Sequence, residues 1–141
     1  MHNVMLVEDN RIFRESFRDF LKSRFPEIMI HEAADSIEAL QKMEEQKPDL
    51  IFMDINLPGV NGLSLGKMIK KNHPNLPIII LTAYDLTEYR EAVLGFGADA
   101  YIVKTAMNCA EIEELVKSRL GGKISAVRNP SAADKNVNRA N

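Results

Sequence analysis

Cysteine is almost missing from the sequence: Cys109 stands alone. A lone thiol excludes an internal disulfide and, with no second cysteine nearby, does not read as a metal site, so a small packing residue is expected there. Long apolar runs are missing too. None approaches the ~20 residues of a membrane-spanning helix, and Met1-His2-Asn3 leads into a strand-like run rather than a signal peptide. A cytoplasmic protein without membrane contact is the expectation. Excess positive charge is absent where folding is expected. The formal net charge is −2; Lys123, Arg128, Lys135 and Arg139 against Asp134 give residues 121–141 a local +3, which leaves −5 on residues 1–120. An acidic folded part carries no electrostatic footprint for nucleic acid. A glycine-rich phosphate loop is lacking as well, because Gly95 and Gly97 flank Phe96 without a helix start behind them.

What is present, 141 residues of which 45% are hydrophobic, suits one domain with a core large enough to fold alone. Short apolar runs recur at 4–7, 29–31, 50–53, 78–81 and 101–103. They are continuous rather than alternating, as in strands covered on both faces. Amphipathic segments lie between them. Ile12, Phe13, Phe17, Phe20 and Leu21 form one stripe on a helix over 10–24 that Pro26 ends. Asp35 followed by Glu38 opens a second helix with Ile37, Leu40 and Met43, closed by Pro48. A third starts at Asn61 or Gly62 and stops before His73-Pro74, a weaker fourth covers 86–94, and a fifth covers 108–120 with Gly121-Gly122 as its stop. Five strand-then-helix repeats with short connections predict a parallel, doubly wound α/β sheet. Residues 121–141 show no apolar period and read as a polar linker or tail.

In open α/β sheets ligands bind at the carboxyl ends of the strands. Glu8 and Asp9 follow the first strand, and Asp54, Thr82 and Lys104 end the third, fourth and fifth. Each alone has an ordinary explanation: a capping pair, a strand threonine, a solvated lysine. Together they occupy matching places in separate units. Two carboxylates ~5 Å apart repel by about 3 kcal/mol at an effective dielectric near 20, so the cluster needs cations. Lys104 supplies one charge. A hard divalent ion supplies two more, and Mg²⁺ suits a site of one or two carboxylates that leaves room for a phosphate oxygen.

The pair Glu8-Asp9, Asp54 within MDINLPGVNG, Thr82-Ala83 and Lys104, with the Pro58 to Gly62 turn, resemble the receiver domain of two-component response regulators over residues 1–120. The resemblance implies a flavodoxin-like sheet in the order 2-1-3-4-5. It implies that Asp54 takes a phosphoryl group from a phosphohistidine of a sensor histidine kinase or phosphotransfer protein. It further implies Mg²⁺ on Asp9, Asp54 and the main-chain carbonyl of Asn56, with Glu8 acting through water. Lys104, the Thr82 hydroxyl and the Ala83 amide would meet the phosphoryl oxygens. Thr82 and Tyr101 would form the switch that alters the surface of the fourth helix, fifth strand and fifth helix, a surface through which such receivers can dimerise on phosphorylation. Many receivers follow the lysine with a cis proline; here Thr105 follows Lys104, so a trans bond is expected. That departure is similar to receivers whose output is a helix-turn-helix domain.

Two flanking residues, Asn56 and Tyr84, stand where they could set the phosphoryl lifetime. Two other function classes stay open. A Mg²⁺-dependent aspartyl-phosphate phosphatase needs a second acid two residues after its nucleophile, and Asn56 occupies that place. A degenerate receiver acting as a phosphorylation-independent interaction module would not need the full charged set. A signalling phosphoacceptor, rather than an enzyme with external turnover, is the expectation. His31 and His73 have no ligand-spaced partners and read as structural.

Overall fold

The structure is a computed structural model and describes residues 2–121. Its strands are β1 (Asn3–Val7), β2 (Met29–Ala33), β3 (Leu50–Asp54), β4 (Ile78–Thr82) and β5 (Ala100–Val103). The helices are α1 (Arg11–Arg24), α2 (Ser36–Gln46), α3 (Gly62–Asn72), α4 (Thr87–Gly95) and α5 (Cys109–Arg119), with one 3-10 turn at Lys104–Ala106. All four strand pairings are parallel, in the order β2-β1-β3-β4-β5. The doubly wound sheet and its strand order are therefore as expected. Residues 122–141, nearly all of the expected tail, lie outside the described residues.

The continuous apolar runs are buried for the anticipated reason. β3 and β4 are buried at every residue and covered on both faces. Phe17 and Leu21 of α1 and Ile112 and Val116 of α5 cover one face, against Leu6, Phe52 and Leu81. Ala39 and Met43 of α2, Leu65 and Ile69 of α3 and Val93 of α4 cover the other, against Val7, Met53 and Ile80. Four helices begin on polar side chains, Asn10, Asp35, Asn61 and Asn108, each accepting the amide three residues on. Such caps satisfy an amide that has no partner inside the helix. No helix among the described residues is long and apolar enough to cross a membrane.

Some expected core positions are on the surface. Ile12 is 81% exposed and Ile37 67% exposed. At 3.6 residues per turn Ile12 lies about 140° around the axis from Phe17, outside the buried stripe. Ile37 similarly lies beside the buried line of Ser36, Ala39 and Met43. Cys109, expected to pack, is exposed at the first turn of α5.

β2 is an edge strand, and its Glu32 is bound by two arginines of α1: Arg14 Nε to Oε1 at 2.9 Å and Arg18 Nη1 to Oε2 at 3.0 Å. Burial pushes the Glu32 carboxyl up, but the hydrogen bonds from Arg18 and Arg14 outweigh it and hold its pKa below the ordinary value. The stabilisation is present above the unfolded carboxyl's pKa and is lost as pH falls through the lower folded one. Glu32→Gln is accordingly expected to lower the melting temperature at neutral pH, the gap from wild type closing in strong acid; thermal scans across pH check this.

Candidate functional site

Register places the charged side chains. Val7 pairs with Met53, so Glu8 stands level with Asp54, and Asp54 pairs with Leu81, which pairs with Ile102. Side chains alternate faces along a strand, so Glu8, Asp54 and, two past Ile102, Lys104 share the face of α1 and α5. Thr82 falls on the opposite face, with Tyr101 and α4.

Lys104 Nζ lies 2.5 Å from Glu8 Oε1 and 2.7 Å from Asp54 Oδ2. The ring of Phe13 supports the ammonium at 4.3 Å, a cation–π contact. The other oxygens are also engaged: Asn10 N donates to Glu8 Oε2 at 3.0 Å and Asn56 N to Asp54 Oδ1 at 2.9 Å. Glu8 is fully buried and Asp54 is 5% exposed, whereas Asp9 faces solvent. Burial pushes the Glu8 carboxyl up to about 6, with Lys104 and Asn10 pulling it down and the Asp54 charge adding to the rise. Burial works against the Lys104 ammonium, but hydrogen bonds to Asp54 and Glu8 win and raise its pKa.

The turn behind the third strand packs closely against the Asp54 and Ile55 backbone. Gly62 N donates to Ile55 O at 2.7 Å. A Cβ on Gly62 would sit 2.2 Å from the Asp54 carbonyl oxygen and 2.6 Å from Ile55 Cα, both backbone atoms that cannot swing away. Gly59 in the same turn has φ +80°, which side chains disfavour. Gly62→Ala is expected to destabilise by about 2 kcal/mol or more, as overpacking does, and to displace Asp54. Urea denaturation reads the first effect.

Carboxylate oxygens of Glu8, Asp9 and Asp54 all lie within 4.8 Å of one another. Hard oxygen donors of excess negative charge, one residue open to solvent, fit Mg²⁺ with several retained waters. Of the other expected residues, Asn56 joins the hydrogen bonds of this cluster, while Thr82 and Tyr101 bond to Tyr84. Asn56 is exposed in the turn after β3, touching Asp54 through its amide, and Ala83 is exposed just past β4. Thr82 is fully buried and its hydroxyl accepts the Tyr84 amide at 3.2 Å. Tyr101 donates its hydroxyl to the Tyr84 carbonyl at 2.7 Å, under the Arg90 guanidinium, which lies 4.6 Å from the ring centroid. The Tyr84 peptide groups thus connect the two switch candidates. All peptide bonds among the described residues are trans, Lys104-Thr105 included.

Two contributors were not singled out from sequence. Phe13 was assigned to the core stripe and also supports Lys104. Arg14 donates through Nη1 to the main-chain carbonyl of Glu8 at 2.9 Å. The available signal was Arg14 and Arg18 four residues apart on the helix that follows the acidic pair.

Residues 4–117 match the family model of the response regulator receiver domain. The polar-differentiation response regulator DivK of Brucella anthropi is 36% identical over 121 residues, covering 84% of this chain and 96% of that protein. The uncharacterized transcriptional regulatory protein YhcZ of Bacillus subtilis is 35% identical over 82% of this chain, which spans only 52% of that relative. The response regulator TrrA of Thermotoga maritima, solved in complex with Mg²⁺-BeF, superposes with TM-score 0.74 at 34% identity, covering 84% of this chain and 99% of that one. A family match over residues 4–117, joined by a relative that is 36% identical over nearly its whole length, means that this chain belongs to the response regulator receiver domain family.

Proposed function

We propose that Asp54 is the phosphoacceptor of this receiver and that its donor is a phosphohistidine on a sensor kinase or phosphotransfer protein. The observation that carries this reading is a carboxylate at a strand end whose Oδ2 lies 2.7 Å from Lys104 within a three-carboxylate cluster. Asp54 attacks phosphorus in line, the new P–O bond forms as the P–N bond to the donor imidazole breaks, and the imidazole keeps the electron pair. Glu8, Asp9, Asp54 and the Asn56 carbonyl would hold Mg²⁺. When bound, Mg²⁺ neutralises the phosphoryl oxygens. Lys104, already hydrogen-bonded to Asp54, pairs with a phosphoryl oxygen, and the Thr82 hydroxyl and Ala83 amide donate to others.

Readout follows from the contacts of Tyr84. A Thr82 hydroxyl drawn to the phosphoryl group gives up the Tyr84 amide, and the Tyr84 carbonyl that holds Tyr101 moves with it. Tyr101 then leaves its surface position, and the face of α4, β5 and α5 changes, offering a surface for a second copy. The Tyr84 ring, 54% exposed two residues past Thr82, shields the acyl phosphate from water. Tyr84→Ala is expected to shorten the phosphoryl half-life several-fold, followed as loss of the phosphorylated species with time.

Intact mass after incubation with a small phosphoryl donor and Mg²⁺ tests the proposal. A phosphorylated fraction that a chelator prevents supports it. Wild type unmodified both by that donor and by a phosphohistidine-bearing protein overturns it and favours a degenerate interaction module.

A further inference from the structure

Every polar group of Glu8 is engaged. Its amide donates to Ala33 O at 2.9 Å, its carboxylate oxygens meet Lys104 and the Asn10 amide, and its carbonyl accepts Arg14 Nη1 at 2.9 Å. The last of these comes from a side chain of α1. Arg14 is only 16% exposed, and its guanidinium spans two acceptors at once, Glu8 O and Glu32 Oε1. Glu32 is in turn fixed by Arg18 on its second oxygen and by the Lys42 ammonium on its main-chain carbonyl. The β1-to-α1 connection that carries Glu8 and Asp9 is therefore tied to the edge strand through a rigid fork.

We propose that Arg14, held by Glu32, is a positioning residue for divalent-cation binding, fixing the Glu8-Asp9 connection through the Glu8 carbonyl without touching the ion. This rests on the reading of the acidic cluster as a Mg²⁺ site. A purely structural ion pair between α1 and β2 is the competing explanation, and pairs near the surface generally contribute little. The geometry favours positioning because one arm of the fork ends on the backbone of a cluster residue rather than on a second carboxylate. Lysine in this place keeps the charge but concentrates its donors on one nitrogen, so it cannot span both acceptors. Partners that orient metal ligands from behind commonly change affinity ~10-fold or more when removed.

The experiment is calorimetric titration of Mg²⁺ into wild type, Arg14→Lys, Glu32→Gln and the double variant, with melting temperatures taken without metal. Arg14→Lys is expected to bind Mg²⁺ about 10-fold more weakly, at high as well as low salt, since its charge is unchanged. Glu32→Gln is expected to weaken binding too, and the double variant to be no weaker than Arg14→Lys alone, because both break one linkage. Wild-type affinity in Arg14→Lys, or losses that multiply in the double variant, would overturn the inference. If Arg14→Lys fails to fold, Glu32→Gln decides: unchanged affinity there overturns the inference equally. A wild type that does not bind Mg²⁺ at all removes the metal reading first, and this inference with it.

Discussion

Asp54→Ala is expected to abolish phosphorylation completely while leaving the fold intact. No other carboxylate can take over: Glu8 is fully buried with both oxygens hydrogen-bonded, and Asp9 belongs to the connection after β1 rather than to the strand end facing Lys104. Stability should not fall in metal-free solution. Glu8, Asp9 and Asp54 carry three negative charges against one on Lys104, and removing Asp54 leaves Lys104 paired with Glu8 at 2.5 Å. Relief of carboxylate repulsion offsets the lost hydrogen bond. The measurements are intact mass after treatment with phosphoryl donor, and the thermal midpoint in chelator. A phosphorylated Asp54→Ala protein would place the nucleophile elsewhere; a much lower midpoint would mean that the Asp54–Lys104 pair is a net stabiliser.

Lys104→Met should do the reverse, damaging the fold in the absence of metal. Methionine keeps an apolar stem over Phe13, so the change isolates the ammonium. Without it Glu8 and Asp54, side chains 1% and 7% exposed, face each other with no cation between them. Breaking a buried pair by removing one partner costs about 3 kcal/mol or more. Mg²⁺ should recover much of this, because it supplies positive charge to the same oxygens. Urea unfolding with and without Mg²⁺ measures both quantities. Equal stability of variant and wild type in chelator would mean that solvent already screens the cluster. Loss of phosphorylation is expected in either condition, since Lys104 is also the proposed phosphoryl partner.

The unequal effects expected of these two substitutions on stability follow from a site with more carboxylates than cations. A divalent ion would relieve the same repulsion that Lys104 moderates, and Lys104 comes from a distant part of the chain, 96 positions from Glu8.

Local chemistry determined most of the fold. Continuous apolar runs, polar caps three residues before a helical stripe, and Pro or Gly at helix ends act over a few residues, so the five repeats and their order were legible directly. The strand ends were legible for the same reason, and a rule about where open sheets bind ligands then singled out Glu8, Asp9, Asp54, Thr82 and Lys104. Periodicity was less able to say how wide each buried stripe is. Ile12 and Ile37 lie in apolar patterns yet face water, and Cys109 is exposed, because the edge of a stripe is set by what packs against it. Register across strands, which no single segment encodes, decided that Glu8, Asp54 and Lys104 share one face while Thr82 and Tyr101 share the other. Only the packing of α1 against β2 could bring Arg14 between Glu32 and the Glu8 carbonyl, since that contact depends on the relative placement of two elements and not on the spacing within either.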